Sequence, residues 1–211
     1  MVRLLIATRN AGKQREYEQL LSHLPPTVEL GGLFGPGLTL EVAETGTTYS
    51  QNARLKARAY AQALGLMTLA DDSGLEVDAL HGEPGILSAR YGGDGLSDSD
   101  RYRMLLRRLQ GVPWLHRSAR FCCAVALSSP AGDTHVAEGK CEGMIAFRPA
   151  GEHGFGYDPI FYLPEHNASM AELPDEAKNR ISHRARAVTA MLPTLQAILA
   201  DTAGSTGAGD G

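Results

Sequence analysis

Two aspartates in a row, Asp71 and Asp72, close a short apolar run within the stretch LMTLADDSGLEVD. Adjacent carboxylates repel, and each resists ionisation unless a cation or a set of hydrogen-bond donors compensates it. A magnesium ion, which needs only one or two carboxylates beside substrate phosphates, is a natural partner. An aspartate-stabilised turn completed by Ser73 and Gly74 is the plain alternative. Successive strand side chains point to opposite faces, so the two carboxylates need not share a role.

Four further groups could do related chemistry. The stretch ATRNAGK, residues 7–13, ends a strand and opens a helix, and helix-start N–H groups together with Lys13 favour a phosphate. It lacks the Walker spacing, and a capped helix with a solvated lysine would look similar. Glu44, in VAETGTTYSQNA, is a third carboxylate for the same ion, or simply a helix N-terminal acid favoured by the dipole. In GFGYDP, residues 154–159, glycine lets a ligand approach the backbone while Phe155 or Tyr157 offers a face to a flat heterocycle; such turns also serve as core anchors. In EAKNRISHRARA, residues 176–187, five cationic or titratable side chains crowd a predicted helix start. Cations gain no dipole stabilisation there, so an anionic or carbonyl-rich ligand would explain them.

The elements that must position these groups follow from periodicity. Residues 2–7 read as a short buried strand, followed by apolar positions Tyr17, Leu20, Leu21 and Leu24 at helical spacing. Residues 28–34 form a weaker strand before the glycine- and proline-rich GGLFGPG loop. Between 48 and 64, Tyr49, Ala53, Ala57, Tyr60, Ala61 and Leu64 share one helical stripe that Asn52, Arg54, Lys56 and Arg58 mostly avoid, and Gly65 ends it. Leu75, Val77 and Ala79 alternate as a separate half-buried strand, and Ser97 caps a helix carrying Tyr102, Leu105, Leu106 and Leu109. Phe121, Cys123, Val125 and Leu127 alternate before the PAGD turn at 130–133, which leads into a returning strand over 134–140, so the middle of the chain is antiparallel. The last helix starts near Ser182 and meets Pro193, where a kink or restart is expected.

Bulk properties narrow the function classes. The 211 residues suffice for a sizeable core, and one domain over 1–200 with a mobile tail over 201–211 is expected. A formal charge of −4 with 43% apolar and 21% charged residues gives no basic field for a nucleic-acid polymer. Three cysteines without CxxC spacing suggest neither a disulfide framework nor a zinc knuckle, and a reducing cytoplasm fits them. No apolar run is long enough for a membrane span.

The order of the motifs carries more than any one of them. TxNxxK at 8–13, ETGTTYxxNAxxKA at 44–57, ADDSG at 70–74, PGIxSARY at 84–91, FGYDPIF at 155–161 and KxxISHRxxA at 178–187 together resemble the inosine triphosphate pyrophosphatase family. The resemblance runs from about residue 3 to about 195. It implies an α/β fold with a long mixed β-sheet flanked by helices, in two lobes with the active cleft between them, and a homodimer. The implied reaction is magnesium-dependent attack of water on the α-phosphate of non-standard purine nucleoside triphosphates such as ITP, dITP and XTP, giving the monophosphate and pyrophosphate. The resemblance puts Thr8, Arg9, Asn10, Ala11, Gly12, Lys13 and Ser73 around the triphosphate. It makes Asp72 the general base and a metal ligand beside Glu44, lines the base pocket with Phe155, Gly156, Tyr157 and Asp158, and completes the nucleotide site with Lys178, His183 and Arg184. The family commonly reads EETG and ENA where this chain has Ala43 before Glu44 and Gln51 before Asn52. A different nucleotide phosphohydrolase and a non-catalytic nucleotide sensor are the rival expectations.

Overall fold

The structure, a computed structural model, describes residues 2–33 and 40–205. Among the described residues, seven strands form one mixed sheet in the order β2-β1-β3-β4-β5-β6-β7. They are β1 (Val2–Ile6), β2 (Val28–Gly32), β3 (Met67–Val77), β4 (Ser118–Ser128), β5 (Thr134–Ile145), β6 (Phe161–Leu163) and β7 (Ala168–Ser169). The helices are α1 (Ala11–Leu20), α2 (Tyr49–Leu64), α3 (Asp98–Arg108), α4 (Asp175–Ile181) and α5 (His183–Ser205). The α/β class with a long mixed sheet is thus as the sequence implied. The chain divides into two compact units, one of Met1–Asp72, Ala124–Glu138 and Ala187–Gly211, the other of Ser73–Cys123 and Gly139–Arg186.

In the first unit β1 pairs in parallel with β2 on one side and β3 on the other. The chain therefore leaves β1 toward one neighbour and later returns to the opposite one, which makes the carboxyl end of β1 a topological switch point, where open α/β sheets bind ligands. Ile6 pairs with Leu69, so β3 projects past the end of β1 and carries Asp71 and Asp72 beyond it. Helix α2 buries Ala53, Ala57 and Tyr60 among Leu5, Ala7, Ala70, Ala124 and Ala126. So many alanines on both sides let helix and strands approach closely, bringing short side chains of α2 within reach of β3. Thr48 caps α2 by accepting the Gln51 N–H, and Gly65 ends it in the left-handed conformation.

In the second unit the core gathers Leu75, Val77, Leu105, Phe121, Ile145, Tyr157, Phe161 and Met170. Arg117 is buried there but satisfied by carbonyls: Nε donates to Ile145 O at 2.7 Å, Nη1 to Leu109 O at 2.9 Å and Nη2 to Ala146 O at 3.0 Å. Ser97 caps α3 with a reciprocal Asp100 contact. Antiparallel pairing joins β5 to β6 and β6 to β7. The short connection between neighbouring β4 and β5 makes that pair antiparallel as well, since a parallel crossover needs a dozen or more residues.

Four expectations are corrected. No turn interrupts Ser73-Gly74: β3 runs unbroken from Met67 to Val77, because backbone partners on a neighbouring strand hold what a local turn chemistry would bend. β4 is buried on both faces rather than alternating, with Cys122, Ala124 and Ala126 as enclosed as Phe121 and Val125. The last helix starts near Ser182 as expected, but the basic segment 176–187 also includes a separate helix, α4, before that start. Of the kink or restart expected at Pro193, the restart does not occur, since α5 continues through it as one element. The carbonyl that proline leaves without its donor belongs to exposed Thr189, where water can serve it. Helix α5 reaches Ser205, past the expected tail boundary, and residues 206–211 and most of the GGLFGPG loop lie outside the described residues.

Candidate active site

The first unit collects one half of the expected residues. Asn10 is the N-cap of α1: its side chain accepts the Lys13 N–H at 2.9 Å, and its own N–H is held by Thr8 Oγ1 at 3.2 Å. Thr8 is nearly buried, and Arg9 reaches back to Leu40 O at 3.1 Å. The Ala11 and Gly12 amides open α1, where a helix offers no internal acceptor. This helix start follows directly from the switch-point end of β1, as an anion site requires.

Lys13 Nζ stands 3.0 Å from Asp71, whose side chain is almost completely enclosed. Asp72, only 5% exposed, points its Oδ2 to the Asn52 amide at 3.0 Å. Glu44 Oε1 accepts a bond from Lys56 Nζ at 2.6 Å. Burial opposes the Lys56 charge, but Asp71, Glu44 and Asp72 all favour it, and the net shift is upward. For Asp72, burial is the largest influence and raises the pKa; Lys56, Asn52 and Lys13 pull the other way without cancelling it, and Glu44 repels. The result is a buried carboxyl with heightened proton affinity beside two ammonium groups, the environment of a general base.

The second unit collects the other half. Phe155 N–H donates to Asp158 Oδ2 at 2.9 Å, and Gly156 N–H to Asp98 Oδ2 at 2.7 Å, so carboxylates hold the GFGYDP turn from both sides. Lys178, 3% exposed, bonds the same Asp158 oxygen at 2.6 Å and lies 5.0 Å from the Phe155 ring centre. A methyl group on Gly154 would strike the Asp158 carboxylate, and its φ of +75° is one that glycine accepts readily, which is why the turn begins as it does. Arg184, 1% exposed, reaches Ser73 Oγ at 3.0 Å and lies 5.7 Å from Phe155. His183 stacks on Phe121 with centroids 4.7 Å apart. Ser182 caps α5 by accepting the Ala185 N–H.

Tyr157 takes the core-anchor alternative. Its ring is enclosed in the second core and its hydroxyl donates to Ser88 O at 2.9 Å, so burial pushes its pKa upward and its faces are taken. Half-buried Phe155 is the aromatic surface that remains. Two residues that stand in the 44–57 motif receive no role from sequence alone. Asn52 and Lys56 looked like the outer side of α2, yet Asn52 is fully buried and Lys56 sits among three carboxylates. Their four-residue spacing, continued by inward Tyr60, was the available signal.

An α/β protein with a carboxylate and lysine cluster at the carboxyl end of its parallel strands, and a helix start open to anions, is what the fold and these residues define. The chain belongs to the Ham1 family, which it matches over residues 4–194. It is 51% identical to the dITP/XTP pyrophosphatase of Geobacillus kaustophilus, an alignment spanning 90% of this chain and 92% of that one. Identity to the Bacillus subtilis dITP/XTP pyrophosphatase is 44%, over 93% and 98% of the two chains. The solved Staphylococcus aureus Ham1 protein superposes with a TM-score of 0.80 at 42% identity, covering 95% of this chain and 99% of the other.

Proposed function

We propose that the protein hydrolyses non-standard purine nucleoside triphosphates, ITP, dITP and XTP, to the monophosphate and pyrophosphate, cleansing the nucleotide pool. The observation that carries this reading is the buried Asp72, its proton affinity raised, set among Lys13, Lys56 and Asn52 close to an anion-accepting helix start. It agrees with the activity named for the relatives. Lys13 and the Ala11 and Gly12 amides take triphosphate oxygens, offsetting charge in the ground state and charge that develops during attack. The Lys13 N–H does not join them, because the Asn10 cap already holds it. Asp72 orients the attacking water and accepts its proton.

Asp71, Asp72 and Glu44 face two ammonium groups, Lys13 and Lys56, so one negative charge is left over when all ionise. Among the described residues no three His, Cys, Asp or Glu side chains form a complete metal cage. An all-oxygen, incomplete donor set fits magnesium, which keeps waters and shares substrate phosphates. Asp72 and Glu44 would hold it, and the bound ion supplies phosphate neutralisation and a more acidic water.

On the second unit, Phe155 takes a face of the purine, while Lys178, His183 and Arg184 supply donors to base and sugar-phosphate. A keto oxygen at the six position accepts from such donors, whereas adenine's amino group leaves one unpaired. That loss costs on the order of 1–3 kcal/mol, or about ten- to a hundredfold in specificity per contact. The enzyme acts as a homodimer, in line with the family resemblance, in a reducing cytoplasm, which its three free cysteines fit.

A product panel tests the proposal: pyrophosphate and orthophosphate release from ITP, dITP, XTP, GTP and ATP, with and without Mg²⁺. Pyrophosphate from the inosine and xanthosine nucleotides, dependent on the metal, is the expected outcome. Orthophosphate as first product, or ATP hydrolysed as fast as ITP, would overturn it.

A further inference from the structure

We infer that Asn52 is a positioning residue for the reaction, a clamp whose two ends fix the Asp72 carboxylate and the backbone of the loop that carries Glu44. Asn52 is fully buried in the first turn of α2. Its Oδ1 accepts the Gly46 N–H at 2.8 Å, and its Nδ2 donates to Asp72 Oδ2 at 3.0 Å. The direction of this amide is settled by chemistry: a backbone N–H can only donate, so the oxygen must face Gly46 and the NH₂ must face the aspartate. One carboxylate oxygen is thereby engaged, and the carboxylate plane is set for whatever its other oxygen binds.

Two features show that the local sequence is arranged around this amide. Asparagine forms helix less readily than alanine, yet it occupies a buried position flanked by Ala53 and Ala57 on the packed face of α2. Gly46 suits the contact, because a Cβ there would stand 2.7 Å from Asn52 Oδ1 and just as close to Gln51 Cβ. No other residue type lets the loop approach the amide this closely. The clamp thus links Asp72 on β3 to the backbone two residues from Glu44, the two carboxylates assigned to the metal.

The inference rests on the proposed pyrophosphatase reading, so wild-type turnover and the variants are measured side by side. In Asn52→Ala, kcat should fall about ten- to a hundredfold, the range for residues that orient metal ligands, while KM stays within about threefold. By calorimetry, metal-free binding of an α,β-imido ITP analogue should be unchanged, and the tightening that Mg²⁺ gives should shrink by about tenfold. Gly46→Ala, which pushes the amide from its other end, should reproduce the same split and decides the matter if Asn52→Ala does not fold. A kcat within threefold of wild type, or metal-free analogue binding that falls in step with kcat, would overturn the clamp. An inactive wild type would instead sink the pyrophosphatase reading, leaving the magnesium effect on analogue binding to judge the clamp.

Discussion

Asp72 sits where its ionised form is least favoured, and that has a thermodynamic signature of its own. Burial, the largest influence, lifts its pKa above the ordinary 3.8 despite Lys56, Asn52 and Lys13. An acid whose pKa is raised by folding binds its proton more tightly in the native state than in the unfolded one. Its stabilising contribution is full below the ordinary value and is lost as pH rises through the folded value. At neutral pH the ionised carboxylate is therefore a standing cost to the fold. Asp72→Asn removes the charge and keeps an acceptor for Asn52. It should abolish turnover yet melt above the wild type at about pH 7 in EDTA, with the gap closing as pH falls toward about 4. Thermal melts across that range check it, and a variant that melts lower at neutral pH would mean that Lys56 and Lys13 make the carboxylate a net stabiliser. At this scale the sequence revealed residues whose type is chemically unusual, the aspartate pair, Lys13 and the SHR triplet. Asn52 and Lys56 were visible as motif positions, but their role stayed hidden because a polar side chain on a helix reads as solvent-facing until the packing partner is known. For Tyr157 the sequence left two readings open, since an aromatic beside glycine looks like a ligand face whether or not a core encloses it, and its hydroxyl bond to Ser88 O goes with the core.

Two helix starts hold the two sets of site residues, and their caps separate stability from catalysis. Thr48 caps α2, which carries Asn52 and Lys56, while Ser97 caps α3, whose Asp98 holds the Gly156 amide. Thr48→Ala and Ser97→Ala should each cost about 1 kcal/mol. For a chain of this size that lowers Tm by roughly 2–4 °C. The kinetic consequences should differ: Thr48→Ala lowers kcat by disturbing the Asp72 side, and Ser97→Ala raises KM by loosening the turn that presents Phe155. Parallel melts and initial-rate curves on ITP distinguish them, and identical kinetic profiles would show that the caps act through stability alone. Elements with strong periodicity, α2 and α3 above all, were legible together with their caps, because capping is local chemistry. The continuity of β3 through Ser73-Gly74 was not, since sheet pairing overrides a turn-prone dipeptide and depends on strands far away in sequence. The start of α5 near Ser182 was legible, but the separate helix α4 just before it was not. Lys178 and Arg180 fall in the last turn of α4, where the dipole favours cations, so His183, Arg184 and Arg186 are the ones that sit against it at the start of α5.

For the whole molecule, a net charge of −4 means that no general field draws a polyanionic nucleotide in. Affinity must come from a few placed cations, and the enclosed ones, Lys178 and Arg184, are weakly screened by salt. The overall fold class was legible because six motifs keep their order along most of the chain, even though each alone admitted a structural explanation. What the order of motifs does not contain is the balance of energies on binding, which a ligand's effect on global stability does report. A ligand that binds only the folded state stabilises it by about 2.7 kcal/mol at a hundredfold excess over its Kd. For about 200 residues this corresponds to a rise in Tm on the order of 5–10 °C. The α,β-imido analogue of ITP with Mg²⁺ should give a shift of that order. At the same concentration the matching ATP analogue, weaker by about ten- to a hundredfold, should give a shift smaller by several degrees. Because binding without turnover is read, the comparison isolates base recognition from chemistry. Equal shifts for the two analogues would locate the discrimination in the transition state rather than in the donors around Phe155.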